Sequence, residues 1–219
     1  MKLIAYIFLC FLTVQSFGQT AKIDFKLKNQ LDSVYQLDQK YRDLLFQGTD
    51  IIKRDSISKS LGISANNFDE FIYKSMTKGD SLNLAFIEPI IDTYGYPGVT
   101  LVGEKTNEAA FYVIQHPTKI EKYLPIIKKA GQERELPLKL VAMMEDRFLM
   151  DQGKEQIYGT QLCNGCLKNG DMSIVVWPIK DPENVNSRRI QAGFEDTVEQ
   201  HAKEFNIEYR VVKLDEMKK

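Results

Sequence analysis

The residues best suited to chemistry in this 219-residue chain include Glu145, Asp146 and Arg147, three consecutive charges inside an apolar helical segment. Three consecutive helical residues span about 200° of the helix circumference. Apolar residues flank them on both sides, so they cannot all face water. At least one of them is expected to meet the core or a cleft, where a charge needs a partner. The segment predicts a polar site and leaves its reaction open.

Polar side chains scattered along the chain have the types that such a site needs. The catalytic candidates are His116 as general base, Asp146 to orient it, and Tyr158 as a neutral donor. The ligand-binding candidates share charge or hydrogen-bonding capacity, and are Asp38, Arg42, Asp80, Asn83, Gln115, Arg147, Thr160, Gln161, Arg188 and Arg189. We expect members of both groups to converge on one site. Replacing Arg147 by methionine would then cost roughly 3 to 5 kcal/mol, because Asp146 or Asp38 would lose its partner.

Each candidate also has a purely structural interpretation. His116 ends an apolar helix, where a part-buried neutral histidine is common without any catalytic duty. The arginines can bind an anion bidentately, or they can pair with Asp38 or Asp146. We favour a binding or scaffold domain for a peptide or an anionic small ligand, because these charges can neutralise one another and no nucleophile stands out. The alternative is a metal-independent hydrolase or transferase that uses His116 as general base.

Several function classes find no support in the sequence. There is no nucleophile elbow, phosphate loop or metal-ligand helix motif. His116 and His201 show no ligand spacing relative to the cysteines, so neither a metal nor another cofactor is expected. The 29 Lys and Arg residues nearly balance the 30 Asp and Glu residues. Without a basic surplus, no nucleic-acid partner is expected.

Cys163 and Cys166 are separated by only two residues. In an oxidising compartment such a pair tends to form a disulfide. A thioredoxin-type redox pair would need a helix N-terminus after a strand. Here Gly165, Asn169 and Gly170 predict turns, so the structural disulfide is the favoured interpretation.

The first 18 residues have the pattern of a secretory signal peptide. Their apolar run is shorter than the roughly 20 residues that a membrane-spanning helix needs. Cys10 lacks the small preceding residues that lipid attachment requires. We therefore expect an exported protein, periplasmic or secreted, with no membrane insertion once residues 1–18 are removed. Residues 19–219 are expected to form a single globular domain.

Hydrophobic periodicity predicts a mainly helical protein. Apolar spacing of three and four residues, together with Pro and Gly stop signals, predicts helices over 22–47, 67–94, 108–116, 118–130, 137–153, 185–191 and 194–205. Residues 48–64 are expected to be a polar, mobile connector, and the conformation of 48–66 is not predicted. Strands are expected at 156–163 and 172–179, forming a hairpin, and at 208–212. The predicted fold is α+β, a predominantly helical body with a small antiparallel β-hairpin sheet toward the C-terminal side.

An ordered series of short motifs extends over about residues 28–205. It consists of Asp38 with Tyr41-Arg42, Asp80 with Asn83, Tyr94-Gly95-Tyr96-Pro97, Val102-Gly103, Gln115-His116, Glu145-Asp146-Arg147, Gln156 with Tyr158-Gly159-Thr160-Gln161, Pro178-Ile179, and Val185 with Arg188-Arg189. This series resembles the bacterial family DUF6624, a domain of unknown function. Many members have Trp in place of Tyr96, and the cysteine loop is a local elaboration. The resemblance implies a shared polar site and no particular reaction.

Overall fold

The computed structural model describes residues 22–116 and 120–218. The predicted signal peptide and the first two residues of the helix predicted over 118–130 lie outside the described residues. Within these ranges the chain forms nine α-helices and one two-stranded sheet. The helices are α1 Phe25–Gln47, α2 Ile51–Leu61, α3 Phe68–Tyr94, α4 Val99–Val102, α5 Ala109–Ile114, α6 Ile120–Gln132, α7 Leu138–Asp151, α8 Val185–Gln191 and α9 Val198–Glu204, and the strands are β1 Leu162–Asn164 and β2 Ile174–Val176. The predicted α+β class, mainly helical with a small antiparallel sheet, is confirmed.

Helix α1 is amphipathic, and its buried stripe leads into the candidate site. Leu27, Leu31 and Val34 are buried at steps of four and three residues. Asp38 continues the same stripe and is also buried. The side chain of Asp24 caps the helix by accepting a hydrogen bond of 2.9 Å from the amide of Leu27. Because α1 packs against α3 and α5, Asp38 faces those two helices.

Helix α5 lies at the centre of the main core. Five of its six residues are buried, as expected for a helix that is apolar on nearly all sides. It contacts α1, α3 and α6, while α6 packs against α7. In the described part of the chain, no helix has both the length and the apolar character needed to cross a bilayer.

The expected mobile connector at 48–64 is wrong, because most of it forms helix α2. The carboxylate of Asp50 accepts hydrogen bonds from the amides of Ile52 and Lys53, at 2.9 and 3.1 Å. Gly62 ends the helix with φ of 68°, a conformation that glycine adopts without steric cost. Both caps are visible in the sequence, but α2 lacks the apolar stripe that marks the other long helices.

The hairpin is confirmed with shorter strands than predicted. β1 and β2 pair antiparallel, with Leu162 opposite Val176. Residues 157–161 belong to a loop. The expected strand at 208–212 is wrong, since this segment has no strand pairing. Instead Val212 and Met217 are buried in a small apolar cluster next to the hairpin.

The predicted cysteine pair is confirmed. Cys163 and Cys166 lie at disulfide-bonding distance, with 5.9 Å between their Cα atoms. Both pack against the small cluster that contains Trp177 and Val212. The disulfide therefore covers a secondary apolar core at the end of the hairpin.

Candidate functional site

The three charges of α7 face three different surroundings. Glu145 pairs with Lys128 of α6 at 2.7 Å. Asp146 binds the loop that follows α7, and Arg147 points toward α5. Successive helical residues differ in direction by about 100°, which separates the three. This arrangement agrees with the expectation that not all three charges face water.

The predicted site residues form two polar clusters instead of the single one expected. The first, here called the helix cluster, is held by α1, α3, α5 and α7, and contains Asp38, Arg42, Asp80, Asn83, Gln115, His116 and Arg147. The second, here called the loop clamp, surrounds residues 157–160, and contains Asp146, Tyr158, Thr160, Gln161, Arg188 and Arg189. The consecutive residues Asp146 and Arg147 belong to different clusters.

Asp38 is the most buried group of the helix cluster, with 2 % of its surface exposed. Its Oδ2 accepts a hydrogen bond of 2.7 Å from Gln39 Nε2. Nη1 of Arg42 donates to the backbone carbonyl of Asp38 at 2.6 Å and lies 3.5 Å from Asp38 Oδ1. Burial raises the pKa of Asp38, while Arg42, Gln39 and Asn83 act against this rise.

Arg42 also connects α1 to α3. Its Nη2 donates to Asp80 Oδ1 at 2.7 Å. Asn83 lies one helical turn after Asp80 on α3 and is buried. One guanidinium is thus shared by the carboxylates of Asp38 and Asp80.

His116 follows α5 and faces this group. Its Nε2 lies 3.8 Å from Asp38 Oδ2. Burial lowers the pKa of His116 to about 4, and the charges of Arg42 and Arg147 act in the same direction while Asp80 opposes them. The imidazole is therefore neutral at pH 7.

Arg147 brings a second cation to the helix cluster. Its Nη1 donates to the backbone carbonyl of Gln115 at 3.3 Å. Burial lowers the pKa of Arg147, and the charge of Asp151 opposes this effect. Among the described residues, no carboxylate lies within ion-pair distance of the Arg147 guanidinium. Most of its five N–H donors thus have no acceptor in these residues.

Unpartnered buried polar atoms are concentrated at this place. Within the ranges described, four buried side-chain atoms lack a hydrogen-bond partner, and three of them are Asp38 Oδ1, Asn83 Nδ2 and His116 Nε2. Buried polar atoms are normally hydrogen-bonded, so a group of three in one cluster needs an explanation. Two of the three have a partner close by, because Asn83 acts on the pKa of Asp38 through a side-chain hydrogen bond and Arg42 Nη1 lies 3.5 Å from Asp38 Oδ1. The remaining atom, His116 Nε2, lies 3.8 Å from Asp38 Oδ2.

The loop clamp is centred on Asp146, which is fully buried. Its Oδ1 accepts from the amides of Ile157 and Tyr158, at 2.7 and 3.0 Å. Its Oδ2 accepts from the amide and the hydroxyl of Thr160, at 3.0 and 2.9 Å. Burial raises the pKa of Asp146, and these hydrogen bonds act against the rise. Both oxygens are occupied by the loop, so the expected orientation of His116 by Asp146 is not seen.

Gln156 is a central residue of the loop clamp that the sequence did not single out as a site residue. It is fully buried, and its Nε2 donates to the carbonyls of Gln161 and Trp177, at 3.0 and 2.7 Å. Its Oε1 accepts from the amide of Gln161 at 2.9 Å. It does belong to the motif of Gln156 with Tyr158-Gly159-Thr160-Gln161, which is the signal that could have marked it. Gln39, the hydrogen-bond donor to Asp38, was not singled out either, and it belongs to no such motif.

The two consecutive arginines of α8 bind the same loop from outside. Arg188 donates through Nε to the carbonyl of Ile157 at 2.9 Å, and Arg189 donates through Nη1 to the carbonyl of Tyr158 at 2.9 Å. Arg189 also pairs with Asp196 at 2.7 Å. Both guanidinium groups therefore have protein acceptors.

Tyr158 and Arg188 line a surface cavity of about 270 Å³ beside α7 and α8. Burial raises the pKa of Tyr158, and the charges of Glu145 and Asp146 add to this effect. The phenol therefore stays protonated at pH 7. It belongs to a different cluster from His116, so the three catalytic candidates do not form one constellation.

No group of three or more His, Cys, Asp or Glu side chains within residues 22–116 and 120–218 is arranged to hold a metal ion. A family model described as "Family of unknown function (DUF6624)" matches residues 38–211, a range that contains both polar clusters. No curated protein and no solved structure matches the chain.

Proposed function

This chain belongs to the DUF6624 family of unknown function, and from that premise we propose that it is a binding domain for a small anionic ligand. The ligand site is the helix cluster. The observation that carries the proposal is Arg147, a partly buried cation that forms no ion pair among the described residues and lies close to His116.

The energetics of Arg147 favour an external anion. A buried charge without a partner is costly, and a bound carboxylate or phosphate would reduce that cost. The planar guanidinium can donate two parallel hydrogen bonds to such a group. Its contact with the Gln115 carbonyl, at 3.3 Å, is a long hydrogen bond that leaves the other donors available.

The loop clamp gives this site a rigid support. Asp146 ties α7 to residues 157–160, and Arg188 and Arg189 hold the same loop on α8. Arg147 is the next residue along α7, so its backbone position is fixed by these contacts. A cation positioned before the ligand arrives loses less conformational entropy on binding.

The alternative of a hydrolase or transferase with His116 as general base has less support. With a pKa near 4, His116 is a weak base at pH 7. Asp146 uses both oxygens on the loop clamp, and Tyr158 lies in that clamp as well. A binding role requires neither residue beside the imidazole.

Isothermal titration calorimetry with acetate, succinate and inorganic phosphate tests the proposal on residues 19–219. We expect at least one of these anions to bind, and an Arg147→Gln variant to bind it at least about tenfold more weakly, which corresponds to about 1.4 kcal/mol. Arg54→Gln is the matched control, because Arg54 pairs with Asp69 at the surface near α2. Equal affinities in all three proteins, or no binding of any anion, would refute the proposed function.

We also propose that the protein acts outside the cytoplasm, in the periplasm or as a secreted protein. The signal-peptide pattern of residues 1–18 and the paired Cys163 and Cys166 support this location. N-terminal sequencing of the protein recovered from its producing cells should begin at Gln19. An intact N-terminus on protein confined to the cytoplasm would contradict it.

A further inference from the structure

We infer that the disulfide of Cys163 and Cys166 is a redox-sensitive switch that controls the C-terminal segment of the chain, residues 210–218, here called the strap. The disulfide holds the strap against the hairpin, and its reduction by a dithiol releases the strap and uncovers the apolar residues beneath it. The inference is independent of the proposed anion site, since neither polar cluster contains a residue of the strap or of the disulfide loop, residues 163–166.

The strap has one polar anchor. Among the described residues, all hydrogen bonds between the strap and the rest of the chain are made with residues 165–168. The backbone amide of Lys218 donates to the carbonyl of Cys166 at 2.8 Å, and its Nζ donates to the carbonyl of Gly165 at 2.6 Å. The amide and the Nζ of Lys168 donate to two carbonyls of the strap, at 2.9 and 2.7 Å. The anchor therefore consists of the end of the disulfide loop and the two residues after it.

The apolar contacts of the strap lead to the same place. Only two residues of the strap are buried, Val212 and Met217, at 4 and 3 % exposure. Both belong to the small apolar cluster next to the hairpin, which also contains Trp177. Cys163 and Cys166 pack against this cluster, so the disulfide forms part of the surface on which the strap lies. A segment with two buried side chains and four hydrogen bonds to the rest of the chain belongs to the least stable parts of a fold.

A dithiol can reach the disulfide, because both cysteines are partly exposed. One thiolate of the dithiol attacks a sulfur of the pair, which forms a mixed disulfide and releases the other cysteine as a thiolate. The second thiolate of the dithiol then displaces the first cysteine. Two electrons and two protons pass to the protein, and the dithiol leaves as a disulfide. Exposed disulfides are the ones that such exchange reduces most readily.

Reduction removes the covalent closure of the loop that anchors the strap. Residues 163–166 then gain backbone freedom, most of all at Gly165, which has a φ of 63°. The carbonyls of Gly165 and Cys166 are the acceptors for Lys218, so a mobile loop no longer holds them in place. The strap stays attached in an oxidising compartment and detaches in a reducing one. Its release exposes Trp177, which is 9 % exposed beneath it.

Fluorescence and hydrogen exchange of residues 19–219, before and after reduction by dithiothreitol, test the inference. Trp177 is the only tryptophan of the sequence, so its emission reports on this cluster alone. We expect reduction to shift the emission to longer wavelength and to accelerate exchange of the Lys168 and Lys218 amides, measured by NMR, at least about tenfold. The helical circular-dichroism signal should stay unchanged. Alkylation followed by mass spectrometry verifies that both thiols are free.

Variants connect the signal to the strap. Oxidised Met217→Asp should already have the long-wavelength emission, because the charge cannot stay in the apolar cluster, and dithiothreitol should add little. Val211→Asp is the matched control, since Val211 is 50 % exposed in the same strap, and it should respond as the parent does. The double variant Cys163→Ser and Cys166→Ser should match the reduced parent and ignore dithiothreitol.

Three results would overturn the inference. The first is a disulfide that dithiothreitol leaves intact, or a reduced protein with the emission and exchange rates of the oxidised one. The second is an oxidised Met217→Asp protein with the emission of the parent, because the strap would then not cover Trp177. The third is a loss of helical signal on reduction, since the disulfide would then hold the whole fold together and not the strap alone.

Discussion

The consecutive residues Asp146 and Arg147 should respond in opposite ways to removal of their charges. We consider Asp146→Ala and Arg147→Met, each measured as the change in the free energy of unfolding. The two side chains start from the same helix, and both are largely removed from water. They differ in the number of hydrogen bonds that the folded protein gives them.

Asp146→Ala removes the acceptor of the amides of Ile157, Tyr158 and Thr160 and of the Thr160 hydroxyl. A buried donor without a partner costs about 1 to 3 kcal/mol. Part of the loop can turn toward water, so the donors do not all lose the full amount. We expect a loss of about 3 to 5 kcal/mol, which is a large share of the 5 to 15 kcal/mol typical of a domain.

Arg147→Met removes one hydrogen bond of 3.3 Å and a charge whose burial is unfavourable. The methionine side chain can follow the path of the aliphatic part of the arginine side chain, so much of the packing is kept. We expect the free energy of unfolding to change by less than about 1 kcal/mol, in the stabilising direction. The sequence alone predicted a loss of roughly 3 to 5 kcal/mol, on the premise that Arg147 neutralises Asp146 or Asp38. The structure gives Arg147 neither partner, which reverses that expectation.

Urea denaturation at pH 7, followed by circular dichroism, measures both variants. Asp92→Ala on the exposed side of α3 is the control for removal of a helical aspartate, with an expected change within about 0.5 kcal/mol. An Arg147→Met protein destabilised by 3 kcal/mol would show that the guanidinium is paired, and would remove the basis of the anion site. An Asp146→Ala protein as stable as the parent would show that the loop clamp does not hold residues 157–160.

Three further predictions concern pH, the shared guanidinium and the disulfide. Folding lowers the pKa of His116 from 6.5 to about 4. Between these pH values only the unfolded chain binds the proton. The free energy of unfolding should therefore fall by about 3 kcal/mol as the pH decreases through this range. Denaturant titrations at several pH values should show that His116→Gln loses this component. Arg42→Met should lower the free energy of unfolding by roughly 3 to 5 kcal/mol in thermal and urea denaturation, because Asp38 is left buried without its cation. Adding Asp38→Asn to the same chain should recover part of this loss. Cys163→Ser should lower the stability measured by calorimetry by about 2 kcal/mol or less, since the loop to Cys166 is short; a larger loss would indicate that the disulfide organises the adjacent core.

The local sequence determined which faces of the helices in the main core are buried. The spacing of Leu27, Leu31 and Val34 defines one face of α1, and Asp38 falls on that face by the same period. The apolar composition of α5 likewise predicted its central position. Burial follows from helix geometry and side-chain polarity, which are both properties of a short segment.

The caps of α2 show that part of the missed structure was also local. Asp50 and Gly62 mark its ends, yet the apolar stripe that identifies longer helices is absent. A helix that is stabilised by its end caps and by contacts along one side cannot be recognised from hydrophobic periodicity.

Only the tertiary structure decided which buried polar groups become partners. Asp146 accepts hydrogen bonds from the backbone of the loop after α7, and this occupation prevents residues 157–161 from extending the hairpin. Arg147, one residue later, is directed toward Gln115, and Asp38 reaches Arg42 in its own helix while Asp80 arrives from α3. Sequence periodicity fixes the direction of a side chain around its helix axis, whereas its partner depends on how distant helices pack. The separation of the predicted site into the helix cluster and the loop clamp is therefore a property of the packed chain.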